Sequence, residues 1–529
     1  MNEKFNAEAT EQVEKSSFDA GRKDGSHRRG GNSGRRNPGS SRRSVTRVPK
    51  NDPNWYVINK QMLIDVASIP FSNQIGQNFF KEQPGGLGFG ESGTAIPGIM
   101  CIEYVPAVGP VLGANSPINV MANAIYNYVR HANSGSKTYD RTDLMCYLIA
   151  ADSLFSLWAD VKRAYGFINN YVLGNRYMPD GVLESLGYNP ENLKNHIADL
   201  RALLNNIAYA ANSLWVPSAF SYYKRHVWMN GNAFSDEKGV KSQTYLYKQA
   251  GFMKFSGKTS SKGSEVLFVQ RPDIMSVETT QKLFDELLTP LISDEDCMTM
   301  GGDLKKAFGS NVYTVSMTGE NETVIPAPSD EVLGQIMNVT FIGQDIDYSA
   351  TKIYQTENYL VPEYKFKNPL FYMEDLGGPI LNSYSETVSP EEVMVSTRGM
   401  CLANDDDSIV CGSEIFTKAV IYSYTFDGTA RIPSFYTVQT NMNVDLTKPT
   451  TDSLVARDIM TISALCAFDW HPTVYPMLTW QNAAGTKYVG YPMPVNDWGN
   501  ARHMTSDELM KMHTNAIMAM WNAREFSLA

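Results

Sequence analysis

The sequence predicts an α+β chain, predominantly α, in which a discontinuous helical domain is interrupted by a β-containing segment and preceded by a disordered basic arm. Three observations carry this. Apolar residues recur at helical spacing through 116–217 and again near the C-terminus. Between about 240 and 450 the texture changes to short β-rich runs bounded by turn residues. Over the first 50 residues Gly, Ser, Asn, Pro and Arg stand where a core would need apolar groups. With 529 residues the chain exceeds one ordinary core, so two or three structural units are expected.

The arm comes first. Residues 21–50 hold eight Arg and two Lys against one acid, Asp24, a charge of +9. Residues 1–20 carry −3 and the whole chain −10, which leaves −16 for the body from residue 51 onward. A basic arm on an acidic body predicts a polyanion partner for the arm. Val45 and Val48 are the only large aliphatic residues in 21–50, too few for a membrane-binding face. RNA is therefore the expected partner, and no membrane is. The candidate nucleic-acid-binding residues are Arg22, Lys23, Arg28, Arg29, Arg35, Arg36, Arg42, Arg43 and Arg47. Arginine pairs fall at 28–29, 35–36 and 42–43, seven residues apart. Gly30, Gly31, Gly34, Pro38 and Gly39 oppose a helix there, and an extended chain sets the pairs roughly 23 Å apart. The guanidinium fork suits phosphate, and nothing in the arm offers a scaffold for reading base edges, so binding should be non-specific and salt-dependent. The plainer reading is a charged linker; like-charge blocks of this kind act as interaction tails more often.

The body begins near Trp55-Tyr56, and Gly85 to Gly98 reads as loop. Ser116-Pro117 opens a helix whose face is Ile118, Met121, Ala122, Ile125 and Val129. Thr142 is the expected cap of a second helix running through Arg163, apolar on most sides and so expected at the centre of a bundle. Asn189-Pro190 opens a third. Its residues Leu193, Ile197, Leu200, Leu204, Ile207, Ala211 and Leu214 form an a/d seam, internal or intersubunit, that Pro217 ends. Val266–Val269 and Val420–Phe426 read as strands. Asp427-Gly428 reads as a two-residue hairpin turn before Ile432, Phe435, Tyr436 and Val438. Helix returns after Thr451. Thr505 to Glu508 is a capping box opening a last helix with Leu509, Met512, Ala516, Met520 and Trp521 on its face.

Chemistry-bearing motifs are weak. Gly88 to Gly93 matches GxGxxG but lacks a strand before and a helix after. Gly257-Lys258-Thr259 ends like a phosphate loop, but Phe252 stands where the first Gly belongs. Asp405-Asp406-Asp407 fails the calcium-loop pattern at Val410 and Phe416. Ser134 to Lys137 matches SxxK without companion elements. His503 and His513 are ten apart, not the four of a helical zinc pair. Cys101, Cys146, Cys297, Cys401, Cys411 and Cys466 include no CxxC pair, so no zinc, redox pair or other cofactor is expected. No apolar signal region opens the chain, and the run Leu144 to Ala151 falls short of a membrane span. A cytosolic, thiol-reduced protein is expected, with the sequons at Asn321 and Asn338 arising by chance.

An ordered string of short segments resembles the capsid proteins of picobirnaviruses, small viruses with a segmented double-stranded RNA genome. It comprises Pro97-Gly98-Ile99-Met100, Tyr104-Val105-Pro106, Tyr128 to Gly135, Asp143-Leu144-Met145, Asn175 to Pro179 and Val216-Pro217-Ser218. The resemblance spans about 97–230. It implies a large helical shell domain with an inserted β-containing protruding domain. It also implies homodimers that assemble into an icosahedral shell around the genome, with the arm inside against RNA. Placed on this chain, the shell domain is 51–235 with 451–529, the protruding domain 236–450, and the arm 1–50. The implied location is the virion, assembled in the host cytoplasm, and no catalytic site is implied. The readings set against this are a non-viral RNA-binding protein with an Arg-rich tail and an enzyme with a basic targeting tail.

Overall fold

The computed structural model describes residues 52–69, 78–79, 94–95, 98–135, 138–170, 178–239, 242–259, 262–342, 346–356, 359–366, 379–403, 409–426, 431–448, 453–490 and 493–522. The basic arm, the GxGxxG match, Lys137 of the SxxK match and Asp405 to Asp407 lie outside them.

The chain divides into two compact units, 1–71 and 72–529. The described part of the first holds a 3-10 turn, Pro53–Trp55, and helix α1, Lys60–Ala67. Each starts on a side-chain cap: Asp52 accepts from the Asn54 N–H at 2.9 Å and Asn59 from the Met62 N–H at 2.8 Å.

The second unit is organised around one 28-residue helix. Its first helices are α2 (Pro117–Ala132), α3 (Arg141–Ile168), α4 (Met178–Ser185), α5 (Pro190–Asn195), α6 (Ile197–Asn212) and α7 (Ser221–Gly231). Further along come α8 (Val277–Ser293), α9 (Glu295–Phe308), α10 (Asp330–Met337) and α11 (Pro390–Ser396). The last two are α12 (Ser453–Leu465) and α13 (Ser506–Met520). Helix α3 is long and apolar enough to cross a membrane by length and composition alone, but it is buried along its apolar window inside the protein. It packs on α2, α6, α7 and α8, the environment that an all-round apolar helix requires. Its cap is Asp140, not Thr142: the Asp140 N–H donates to Asp143 Oδ2 at 3.0 Å, closing the first turn.

The a/d seam is internal. Leu193, Leu200, Leu204, Ile207 and Ala211 are wholly buried within the single chain. The seam is also broken, because His196 leaves helical geometry (φ −124°, ψ 35°) between α5 and α6.

Beside the helices lies a six-stranded sheet of order β15-β14-β3-β5-β4-β8. Its strands are β3 (Ile99–Pro106), β4 (Phe234–Ser235), β5 (Thr244–Gln249), β8 (Ala327–Pro328), β14 (Glu414–Phe426) and β15 (Arg431–Val438). Strand β3 is buried at every residue, as its near-continuous apolar run demands of a central strand. It runs antiparallel to β14 (Ile102 opposite Ala419) and parallel to β5 (Ile102 opposite Tyr247). The β14–β15 register closes on Phe426 opposite Arg431. The connection therefore has four residues, 427–430, rather than the two of Asp427-Gly428; it lies outside the described residues.

A second sheet, β10-β9-β7-β6, holds β6 (Gly251–Ser256), β7 (Glu265–Gln270), β9 (Lys352–Thr356) and β10 (Tyr359–Glu363). A third, β16-β17-β18, holds β16 (Asn441–Asp445), β17 (Tyr475–Gln481) and β18 (Lys487–Gly490). The remaining pairs are β1 (Asn78–Phe79) with β2 (Thr94–Ala95), β11 (Ile380–Ser383) with β19 (Asn500–His503), and β12 (Leu402–Ala403) with β13 (Ile409–Val410).

The class is thus α+β with helix predominating. The lines drawn at 235/236 and 450/451 do not fall at breaks in this fold. Strands β3 and β14, whose partners are 308 to 323 positions apart, share a long ladder, β4 pairs with β5 across the first line, and 72–529 forms one unit. Segment 236–450 also carries four helices, and 451–529 carries the strands β17 to β19.

Candidate functional site

The nine cations proposed from sequence lie outside the described residues. The structure does show how the acidic body arranges several of its own charges in buried clusters.

Helix α3 and strand β14 each bring a carboxylate, Asp152 and Glu414, into the core against Arg225 and His226 of α7. Arg225 grips Glu414 with two parallel bonds, Nε to Oε1 at 2.7 Å and Nη2 to Oε2 at 2.9 Å. His226 lies between Asp152 (Nδ1 to Oδ2, 2.6 Å) and Glu414 (Nε2 to Oε1, 3.4 Å). Burial opposes the charged imidazole, but Asp152 and then Glu414 outweigh it and carry its pKa up to about 9. Burial likewise opposes the Glu414 carboxylate; Arg225 and His226 overcome this and hold its pKa far below the usual range. About two turns along α3, Asp160 accepts from Arg163 (2.8 Å), Tyr188 (2.7 Å) and Arg271 (2.6 Å). A carboxylate–histidine–carboxylate row could in principle move protons. Asp152, His226 and Glu414 have no exposed surface, so no substrate reaches them. The row ties α3, α7 and β14 together.

A third buried centre joins α13 to the turn before β12. His513 donates from Nε2 to the Met400 carbonyl at 2.8 Å, and its Nδ1 has no hydrogen-bond partner among the described residues. Burial, followed by the nearby Arg398, lowers its pKa to about 3. The buried face of α13 is Leu509, His513 and Ile517, followed by Trp521. This corrects the predicted face: Met512, Ala516 and Met520 are half-buried at its flank, the two methionines packed against the edge of the core.

The remaining candidates are structural. Lys258, from the phosphate-loop near-match, pairs with Asp296 at 2.7 Å and donates to the Thr138 carbonyl at 2.6 Å. His131, His196 and His503 are exposed and apart. Among the described residues no group of three or more His, Cys, Asp or Glu could hold a metal. All six cysteines are free, with only Cys466 exposed.

Two exposed apolar regions were missed by sequence reasoning. In the first unit, Trp55, Tyr56, Ile58, Met62, Ile64, Val66 and Ile69 all face outward. In the second unit, α12 exposes Leu454, Ile459 and Met460, while Trp480 and Tyr488 stack at 5.8 Å on the β17–β18 sheet beside exposed Val489. Runs of this kind mark surfaces that another body covers.

Comparison with known proteins agrees with the sequence. A family model described as "Picobirnavirus, Capsid protein" matches residues 55–367, which include the 97–230 region that carried the resemblance. The capsid protein precursor of Human picobirnavirus (strain Human/Thailand/Hy005102/-) is 26% identical over 509 residues, 89% of this chain and 91% of that protein. The X-ray crystallographic structure of the picobirnavirus capsid has the same fold, with TM-score 0.74 at 22% identity over 90% of this chain and 99% of that one. With the family match spanning more than half its length, the chain belongs to the picobirnavirus capsid protein family.

Proposed function

We propose that the chain is the building block of a closed icosahedral viral shell, assembling through homodimers around a double-stranded RNA genome in the host cytoplasm. The basic arm, through Arg22, Lys23, Arg28, Arg29, Arg35, Arg36, Arg42, Arg43 and Arg47, holds RNA without reading its sequence. The observation that carries this is the division of charge on a capsid-family chain: +9 in residues 21–50 against −16 from residue 51 onward. The body repels polyanion, and the arm attracts it. The role is structural, not catalytic. Residues 51–235 and 451–529 supply most of the wall and 236–450 the outward part, with strands from 99–235 and from 236–450 joined in the six-stranded sheet. The exposed apolar residues of α1 and α12 suit contacts within such a wall.

Expression of the full chain, negative-stain microscopy and measurement of the RNA recovered per particle test this. Closed particles are expected, and deletion of residues 1–50 should leave them closed with less RNA. Monomers alone over a wide range of salt and pH would refute the shell. Equal RNA content with and without the arm would refute the packaging role.

A further inference from the structure

We propose that the last helix, α13, is an acid-released latch: uptake of one proton by His513 frees Ser506–Met520 from the core while α3 and the six-stranded sheet stay folded. The device is a property of the second unit's fold and does not depend on the shell. Acid would bare an apolar strip, Leu509, Ile517 and Trp521 on the helix and Tyr222 beneath it, that is covered at neutral pH.

Apolar contacts hold the helix at its two ends. Near its start, Leu509 packs in a small cluster with Met400, Val410 and Met504, apart from the main core. Beyond its middle, Ile517 lies against the backbone of Gly109, which sits in the left-handed region (φ +92°); a Cβ there would come within 2.7 Å of Ile517 Cγ1. Trp521 follows, wholly buried, with its ring 4.6 Å from that of Tyr222 and 5.3 Å from that of Phe220. Ahead of the helix the chain is tied down, because the buried Met504 donates its N–H to the Pro379 carbonyl at 2.8 Å. The hinge is therefore the cap residue, Thr505. Between the two apolar holds, at the centre of the buried face, stands His513.

A charged imidazole has no answer at that point. The turn before β12 brings Arg398, whose Nε and Nη2 bond to the Met394 carbonyl and the Thr397 hydroxyl, while Nη1 has no partner among the described residues. Helix α7 brings Arg225 and His226, and β14 brings Glu414, already held by both of them. The far side of that cluster is Asp152 of α3. Cys401 and Cys411 face the same core, with burial pushing both thiols up and keeping them neutral. Helix α2, also packed on α13, carries no charged group before Arg130. On α13 itself Asp507 and Lys511 are exposed and Glu508 pairs with Arg502 at the surface. Three cations thus stand against two carboxylates in the buried network before His513 takes up anything. A second N–H on the ring would also lack an acceptor, since Nδ1 has none among the described residues. The docked ring therefore stays neutral, with its pKa near 3, and the freed helix titrates at the ordinary 6.5. Acid shifts the equilibrium toward release, by about 25-fold between pH 7 and pH 5. Glu414, whose ordinary pKa is 4.5, contributes little to this interval.

The test is hydrogen–deuterium exchange of the full-length protein, read by mass spectrometry at pH 7 and pH 5 and corrected for the intrinsic exchange rate at each pH. Opening of the 506–521 peptides should rise about 25-fold at pH 5, while peptides from α3 keep their protection. His513→Gln, which can still donate to the Met400 carbonyl, should remove the rise. Lys511→Met, on the exposed side of α13, should keep it. Should the glutamine variant fail to fold, the comparison of α13 with α3 in the wild-type chain decides alone. No rise in α13, an equal rise in α3, or the same rise in a folded His513→Gln protein overturns the proposal.

Discussion

His513 makes the second unit acid-sensitive in a way that one substitution should remove. Its ordinary pKa of 6.5 falls to about 3 in the fold, because the ring is buried and faces Arg398, with Arg225 beyond. Glu414 and the Met400 carbonyl pull the other way without prevailing. The space around Nδ1 is also closed: a Cβ on Gly412 would come within 2.9 Å of it. A base with a depressed folded pKa is neutral in both states above 6.5. As pH falls below 6.5 the unfolded chain takes up a proton that the folded chain refuses. Stability is therefore present above 6.5 and lost progressively toward 3. At pH 5 the difference is about 1.5 pH units, or about 2 kcal/mol. Gln at this position can still donate to the Met400 carbonyl but cannot titrate. Urea unfolding of the unassembled protein at pH 7 and pH 5 gives the measurement. His513→Gln should lose about 2 kcal/mol less than wild type over that interval. Parallel pH profiles for the two proteins would refute the assignment.

Three further outcomes follow from packing and charge. Leu204→Ala, in the buried seam of α6, should cost about 2–5 kcal/mol in urea unfolding, and a neutral result would show that the seam is not internal. Gly166→Ala places a Cβ 2.6 Å from Val324 Cγ2 and 2.8 Å from the Val324 nitrogen; it should destabilise by about 1–3 kcal/mol in thermal melts, whereas Gly302→Ala, with open space around it, should not. Raising salt from about 50 to 200 mM should weaken RNA binding by the arm steeply, by about 10³-fold or more if six of its cations meet phosphate; a flat response in filter binding would contradict phosphate contacts.

The helices were legible wherever one face repeated and a cap announced the start. Pro117, Asn189 with Pro190, and Thr505 with Glu508 each open a helix where the spacing predicted one. The strands were legible only where β-branched residues bordered a turn. Strand β3 escaped because a strand buried on both faces has no alternation, and Ile99 to Val105 carries no turn signal of its own. Helices α8 and α9 escaped because their caps, Ser276 and Asp294, sit in a region whose average texture is β-rich. The face of α13 was misread by one position: Met512 and Met520 look like core residues, while the residue that is buried is a histidine. Burial of His513 depends on Met400 and Arg398, more than a hundred positions away, and no local spacing encodes that.

The same contrast separates the arm from the wall. An arm that works by charge needs only composition, since guanidinium groups meet phosphate in many geometries. Its character is written in consecutive residues. The body's charges work in pairs that the fold assembles from afar: Arg225 with Glu414, Asp160 with Arg271, Lys418 with Glu103. Each pair has sequence neighbours of unremarkable composition, so a count of charges shows an acidic body and nothing of its internal order. In the core, these acids are spent on neighbouring cations, as Asp160 is on Arg163 and Arg271. A net charge of −16 thus describes how the body repels polyanion at a distance, while its buried pairs act only at close range.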